Sequence, residues 1–471
     1  MLLKDLFINH ARIMKNRRVA YKYEFGEFTE VYCEEFHQDL RRAVAFWNEI
    51  AGNGRIKIGI VAENSYTYLI QIYGIILSGN IAIPMNQNMS HDDLCGFLEE
   101  LKVDALAADE DWVDELKEFA ASKKMQITNI EDAFSNSSES AIVERPVKED
   151  DMSLILLSSG TSGRSKAVKI SQKNLTASSR RFFFENKECP QNVLQVLPLY
   201  HIGGILLTLE ELVRGNSLLI SNAKYYMMQV ERFEIQKLIL VPAMAQNLFN
   251  KAADKEGIKE GLRTAREMLC VGAALQADTV AKMREYNIEP IVYYGLTETA
   301  GTVSCDGPYR DGACGRIAAY NEVKIENDEI LIRGENITSG YLNNDEATKE
   351  LLKDGWLHTG DLGRIDEDGY LYLIGRSKNI IILSNGENVS PEELEERLYE
   401  CKDITETIVF GKEDTICAKI YCGEEQSEEK EQSVRDFVRS LNKTLPTTKK
   451  IKELIFTKEE LPKTGVGKIK R

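Results

Sequence analysis

Five short stretches carry residue types suited to gripping a polyanion and moving a group. The first is Ser158-Ser159-Gly160-Thr161-Ser162-Gly163-Arg164-Ser165-Lys166, just after the apolar run 154–157. Small residues let successive backbone N–H groups turn inward on phosphate oxygens, hydroxyls add donors, and Lys166 adds charge. The spacing is not that of a Walker A loop, because Lys166 follows Gly163 by three residues and no Ser or Thr comes next. A flexible Ser/Gly linker is the alternative; a strand before the run and an expected helix after it argue against that. The second stretch, Tyr293-Tyr294-Gly295-Leu296-Thr297-Glu298-Thr299, puts an aromatic, a hydroxyl and a carboxylate at the end of an expected strand. Open α/β sheets place ligands at such ends. An aromatic face can stack on a purine, and a carboxylate can hold magnesium bound to phosphates. The third, Gly355 through His358, Thr359, Gly360, Asp361 and Gly363, offers a carboxylate between glycines, suited to paired ribose hydroxyls. The fourth is Gly375-Arg376-Ser377-Lys378, followed by Ser390-Pro391-Glu392-Glu393, a good helix start. The fifth is the tail, where Lys468 follows Gly465 and Gly467. Taken singly, a Gly-Asp turn or a basic tail is more often structural than catalytic.

The elements that must position these residues alternate. Strands are expected at 57–62, 81–84, 104–107, 154–157, 193–198, 217–221, 238–241, 267–271 and 290–293. Helices are expected at 65–78, 91–102, 173–185 and 203–214. That rhythm implies parallel sheets covered by helices. Near residue 315 it changes to hairpins, 322–326 with 329–333 around Asn327-Asp328, and 363–366 with 370–374. Beyond residue 376 lie about 95 residues with their own strand and helix pattern, enough for a small α+β domain. The division expected is 1–375 and 376–471.

Composition limits the partners. The formal net charge is −16, so nucleic acid is not an expected partner and a bound polyanion must be held by a local cluster. No uninterrupted apolar run is long enough for a membrane helix, and the N-terminus meets charge at once, unlike a secretory signal. A cytoplasmic location is the expectation. Nine cysteines include no Cys-x-x-Cys pair, and the histidines at 10, 37, 91, 201 and 358 include no His-x-x-x-His spacing, so reduced cytosolic thiols that serve mostly as small hydrophobes are expected.

In this order and at these separations the five motifs resemble the acyl-adenylating, AMP-forming superfamily, which contains acyl-CoA synthetases, peptide-synthetase adenylation domains and luciferases. The resemblance covers essentially the whole chain. It implies a large N-terminal domain of layered α/β sheets plus a β-barrel region, and a small mobile C-terminal domain. It implies ATP, Mg²⁺ and a thiol acceptor, coenzyme A or a carrier-protein phosphopantetheine. Carried over by motif, Ser159, Gly160, Thr161, Ser162, Gly163 and Lys166 should cover the ATP phosphates. Gly272, Ala273 and Ala274 should line the adenine, with Tyr294 stacking on it and Gly295 beside it. Thr297 should contact the α-phosphate and Glu298 the Mg²⁺, with Asp361 and Arg376 on the ribose. Lys378 matches the hinge residue and Lys468 the lysine of the adenylation step. Two departures stand in the phosphate loop, where Ser165 and Ala167 replace the usual Pro and Gly around the lysine.

The segment Pro198-Leu199-Tyr200-His201-Ile202-Gly203-Gly204 looks like that of acyl-CoA synthetases, with His201, Gly203, Gly204 and Gly295 expected at the acid. No acidic residue occurs there before Glu210, which argues for a plain acyl or aryl acid, since an unpaired ammonium is costly to bury. The stretch 380–391 is also similar to fatty-acyl-CoA ligases, making fatty acid metabolism the expected setting. The reaction implied is ATP-dependent formation of an acyl-AMP followed by transfer to a thiol, most simply coenzyme A. Loading of an acyl or aminoacyl group onto an acyl or peptidyl carrier protein, and a non-catalytic ATP-binding role, are the alternatives.

Overall fold

The computed structural model describes residues 1–24, 27–132, 145–158, 165–182, 190–273, 275–383, 388–412, 415–424, 426–463 and 469–470. The chain opens with helix α1 (Leu3–Ile13), a hairpin of β1 (Arg18–Glu24) and β2 (Glu27–Tyr32), and helix α2 (Cys33–Ala51). A first sheet follows from β3 (Lys57–Val61), β4 (Ile81–Pro84), β5 (Ala105–Ala108), β6 (Gln126–Asn129), β7 (Met152–Ser158) and β8 (Lys166–Ser171). Its order is β6-β5-β3-β4-β7-β8, parallel except for the β7–β8 edge. Helices α3 (Tyr66–Leu77), α4 (His91–Glu100) and α5 (Glu110–Lys123) make the crossovers. Ser65 caps α3 by accepting from the Tyr68 N–H at 3.0 Å, as a serine before an apolar helix should. All of α3 but Thr67 and Leu77 is buried, the signature of a helix packed on every side.

The second sheet comes after helix α6 (Gln172–Ala177), from β9 (Asn192–Gln195), β10 (Ser217–Ile220), β11 (Lys237–Leu240), β12 (Glu267–Val271), β13 (Glu289–Leu296), β14 (Gly301–Asp306) and β15 (Arg316–Ile317). Helix α7 (Ile202–Val213) joins β9 to β10. The nine-stranded order is β15-β14-β13-β12-β11-β9-β10-β1-β2, so the N-terminal hairpin closes the far edge. One continuous core runs from Ile58 and Leu156 of the first sheet through α3 and α7 to Val193, Leu218 and Leu269 of the second. The two sheets are therefore layers of one body.

The expected β-barrel region is an open sheet among the described residues. Strands β16 (Asn321–Glu326), β17 (Glu329–Gly334), β18 (Leu352–Lys353), β19 (Trp356–Ile365) and β20 (Leu371–Arg376) pair as β16-β17-β19-β18, with β20 also on β19. β18 is two residues long, and no ladder joins the edges, so the sheet does not close. The Asn327-Asp328 turn has φ of 51° and 64°, the left-handed pair a tight hairpin needs.

The C-terminal unit has its own core, built by β23 (Glu406–Lys412), β24 (Thr415–Tyr421) and β25 (Ile451–Thr457) under helices α13 (Pro391–Leu398) and α14 (Glu428–Thr444), with the short helix α12 (Asp345–Leu351) lying earlier in the chain. The phosphate-loop motif departs from its expected setting. The strands on either side of it, β7 and β8, pair antiparallel with Ser158 opposite Lys166, so a strand rather than a helix comes after it. Val168 and Ile170 alternate inward and commit the segment to the sheet. The helix expected over 173–185 stops at Ala177, after Thr176 donates its hydroxyl back to the Gln172 carbonyl at 3.0 Å, and tightens to a 3₁₀ turn over Ser179–Phe182.

Candidate active site

Strands β12 and β13 run parallel with Val271 opposite Tyr293, so Gly272 and Ala273 leave β12 where β13 passes from this parallel ladder, at Tyr294, to its antiparallel pairing with β14. Gly272 has φ 91°, which admits glycine and strains other residues. After Leu296 the chain makes a single 3₁₀ turn over Thr297–Thr299. Thr299 Oγ1 accepts from the Leu296 N–H at 2.9 Å, fixing the turn that presents Thr297 and Glu298. A Cβ at Gly295 would stand 2.1 Å from the Gly301 carbonyl oxygen, so β13 and β14 approach there as only glycine permits.

Asp361 is the hub of this end of the sheet. It lies on β19, only 5% exposed, directly across from Arg376 on β20. Its Oδ1 accepts from Arg376 Nε at 2.7 Å, and its Oδ2 accepts from the Tyr294 hydroxyl at 2.7 Å. The Thr359 hydroxyl accepts from the Asp361 N–H at 2.9 Å and turns the carboxylate toward both. Burial first, and then the Asp361 charge, hold the Tyr294 phenol well above its ordinary pKa, so it stays a donor.

Glu298 lies in the adjoining quadrant. Its Oε1 accepts from the Tyr341 hydroxyl at 2.9 Å, and its carbonyl accepts from the Thr338 N–H at 2.9 Å. Lys166 Nζ lies 4.8 Å from the centre of the Tyr341 ring, within cation–π range. The segment around Gly340 attaches to β8 through Leu342 N–H to Ala167 O at 2.8 Å and Lys169 N–H to Gly340 O at 3.1 Å. Lys166 and Glu298, 132 positions apart in sequence, thus share Tyr341. Tyr341 was not among the expected site residues. Gly340 before it takes φ 113°, which favours glycine, but no spacing in the sequence marks Tyr341 itself.

His201 stands just before the first turn of α7 without a side-chain capping bond, its ring 4.6 Å from that of Tyr200. Gly203 follows in the first turn. A Cβ on the next residue, Gly204, would lie 2.1 Å from the Pro198 carbonyl oxygen, which makes this helix start a tight one. Asn64, from the other sheet, secures the loop: its Nδ2 donates to Leu197 O at 2.9 Å and Ser221 O at 3.1 Å, and its Oδ1 accepts from Leu199 N–H at 2.9 Å. Glu210, one face further along α7, is buried with Arg181 Nη2 3.9 Å from its Oε2, and burial pushes its carboxyl up.

Lys378 is exposed in a 3₁₀ turn, Ser377–Asn379, between β20 and the C-terminal unit. Ser390, the cap of α13, donates to the Ile374 carbonyl at 2.8 Å and joins that unit to the end of β20. Ser159, Gly160, Thr161, Ser162, Gly163, Ala274 and Lys468 lie outside the described residues. The described flanks of Lys468 belong to the small unit: Lys463 pairs with Ile469, and Lys463 Nζ contacts Glu406 Oε1 at 2.5 Å. Lys166, Tyr294, Glu298, Asp361 and Arg376 are thus brought to one end of the sheets, while His201 stands at the start of α7. No helix among the described residues is long and apolar enough to cross a membrane.

The family model described as AMP-binding enzyme matches residues 10–342, and that described as AMP-binding enzyme C-terminal domain matches residues 378–471. A 2-succinylbenzoate–CoA ligase of Bacillus cereus is 25% identical over 406 residues, 82% of this chain and 82% of that protein. The fold is similar to that of O-succinylbenzoate coenzyme A synthetase from Bacillus subtilis in complex with ATP and magnesium ion. The TM-score is 0.82 at 22% identity, over 99% of this chain and 98% of that one. It is similar also to an anthranilate CoA ligase in complex with anthranoyl-AMP, with TM-score 0.86 at 19% identity over 100% and 96%. The matched family accounts for both the layered body that gathers Asp361, Tyr294 and Glu298 and the small unit that follows, and the chain belongs to the AMP-binding enzyme family.

Proposed function

We propose that this protein is an AMP-forming acid–thiol ligase: it joins a carboxylic acid to ATP as an acyl-AMP, releases pyrophosphate, and transfers the acyl group to coenzyme A. The observation that carries this reading is the convergence of Lys166, the Tyr341–Glu298 pair and the Tyr294–Asp361–Arg376 cluster at one end of the sheets. In it, Asp361 and Arg376 hold the ribose, Tyr294 and Gly272 to Ala274 border the adenine, and residues 159–163 with Lys166 cover the phosphates. Thr297 takes the α-phosphate. Glu298 would hold Mg²⁺, which offsets phosphate charge when bound; an oriented, hydroxyl-bonded carboxylate suits a hard cation.

Attack of the substrate carboxylate on the α-phosphorus forms a C–O–P bond as the bond to pyrophosphate breaks. Negative charge builds between two anions, and Lys468 neutralises it when the small unit closes. The thiol sulfur then attacks the acyl carbon, its proton leaves, and AMP departs. One site serving two attacks requires the small unit to turn, and we place the boundary at 375/376 with Lys378 as hinge. His201, Gly203, Gly204 and Gly295 border the acid. Glu210 is buried with Arg181 3.9 Å away, and no other carboxylate lies in this segment to meet an ammonium, which supports a plain acyl or aryl acid. Relatives named as CoA ligases favour coenzyme A as acceptor. The eight described cysteines are all free thiols, which supports a reducing, cytoplasmic setting.

The test is ATP–pyrophosphate exchange over a panel of fatty, aryl and amino acids, then transfer to coenzyme A or to a phosphopantetheinylated carrier protein. Exchange with plain acids and transfer to coenzyme A is expected. Transfer only to the carrier protein would replace the acceptor, and no exchange with any acid would overturn the reading.

A further inference from the structure

The N-terminal helix pair holds a cluster that the adenylating chemistry does not use. His10 comes from α1. Cys33 and His37 come from the start of α2, four residues apart and so on one helix face. One ligand-capable atom from each lies within 4.8 Å of the others. His10 and Cys33 are 1% and 3% exposed, while His37 is only partly buried and marks the side open to solvent. His10 Nδ1 and His37 Nε2 are 3.0 Å apart, and His10 Nε2 is buried with no hydrogen-bond partner. The Cys33 thiol lies 4.0 Å from the Ala11 carbonyl. Phe7 and Phe36 wall the cluster, with ring centres 6.3 and 5.5 Å from that of His10. Two imidazoles and a thiol turned toward one another in an aromatic shell share a single ring-to-ring hydrogen bond, fewer partners than buried polar groups ordinarily keep.

We propose that His10, Cys33 and His37 bind one thiophilic d¹⁰ metal ion, Zn²⁺ or Cu⁺, which clamps α1 to α2. Imidazole nitrogen with thiolate sulfur is the donor set such ions select. Around a tetrahedral ion with bonds of ~2.0–2.1 Å the two nitrogens stand ~3.3 Å apart, a few tenths of an ångström from their present separation. The fourth position faces the Ala11 carbonyl or water entering past His37. On binding, the Cys33 S–H bond breaks, its proton passes to solvent, and sulfur bonds the metal. None of the three residues belongs to the adenylating site, so the ion acts on the fold.

The experiment uses the full chain, reduced and stripped with a chelator. It is titrated with Co²⁺ as spectroscopic probe, then with Zn²⁺ and with Cu⁺ against a competing chromophoric chelator. One equivalent should bind with a thiolate-to-Co²⁺ charge-transfer band, release one proton per ion, and raise Tm. Cys33→Ser should abolish the band, and His37→Gln should weaken binding at least ~10-fold. Cys95→Ser should change neither, although its sulfur lies 3.6 Å from His91 Nε2 in a second, exposed pair. His37 stands at the rim, so His37→Gln decides the matter if Cys33→Ser does not fold. Whichever of Zn²⁺ and Cu⁺ binds more tightly names the ion. Failure of all three ions to bind one per chain, a band that survives both Cys33→Ser and His37→Gln, or its loss in Cys95→Ser would overturn the site.

Discussion

Asp361 and Arg376 face each other across β19 and β20, Oδ1 to Nε at 2.7 Å, and Tyr294 from a different sheet donates to the other carboxylate oxygen. The antiparallel sheet thereby delivers an anion to the mouth of the parallel one, already oriented on two sides.

Removing that anion should show in nucleotide affinity. Asp361→Ala should weaken ATP binding by at least ~10-fold, since hydrogen bonds to a charged group are worth about 1.5–3 kcal/mol. Tyr294→Phe should cost less, because Arg376 still holds the carboxylate. Equilibrium titration with ATP measures both. Unchanged affinity in Asp361→Ala would place the ribose elsewhere.

Tyr341 links Glu298 to the ring under Lys166. Tyr341→Phe keeps that ring but removes the 2.9 Å bond to Glu298, so pyrophosphate exchange should slow by about 10-fold and respond to a higher Mg²⁺ concentration. Exchange at the wild-type rate would show that Glu298 needs no positioning.

Lys468→Ala should abolish acyl-AMP formation yet leave transfer from a supplied acyl-AMP to the thiol largely intact. Single-turnover assays separate the two steps. Equal loss in both would rule out a small unit that presents different faces in turn.

Lys237 is 2% exposed, with Nζ 2.6 Å from Glu211 Oε1. Burial raises the Glu211 carboxyl, but Lys237 and Arg214 outweigh it and hold the net pKa below its ordinary 4.5. A depressed carboxyl stabilises the fold above about pH 4.5, and that contribution is lost as pH falls further. Lys237→Met alone should cost about 3–5 kcal/mol, while Lys237→Met with Glu211→Leu should recover most of it and flatten the acid limb. Denaturant titration from pH 7 down to 3 is the measurement, and a double variant as unstable as the single one would contradict it.

Much of this was readable from local pattern. Buried strands such as 57–61 and 267–271 are short apolar runs between helix-length segments, and Asn327-Asp328 announces its hairpin. The misreadings have physical causes. After Lys166, polar residues mask the inward alternation of Val168 and Ile170, so a strand there carries little period-two signal in the sequence. The pairing of β1 with β10 joins segments some two hundred residues apart and leaves no local trace. The antiparallel strands gave no sign of whether their edges would meet, and they do not. Motif spacing singled out Asp361, Arg376 and Glu298, and folding brings all three to one end of the sheets. It missed Tyr341 and Asn64, whose importance lies in what folding brings beside them. No spacing singled out Cys33 and His37, and His10 joins them only through the packing of α1 on α2.

The continuous core described above has a thermal consequence. Both layered sheets lean on α3, so heat cannot melt one and spare the other; they should give way in a single cooperative event. The C-terminal unit keeps its own apolar centre around Leu394, Val409, Ile420 and Val438. It can come apart and re-form while the nucleotide-facing body stays whole, so damage to the lobe that carries the tail lysine is repairable without dismantling the rest.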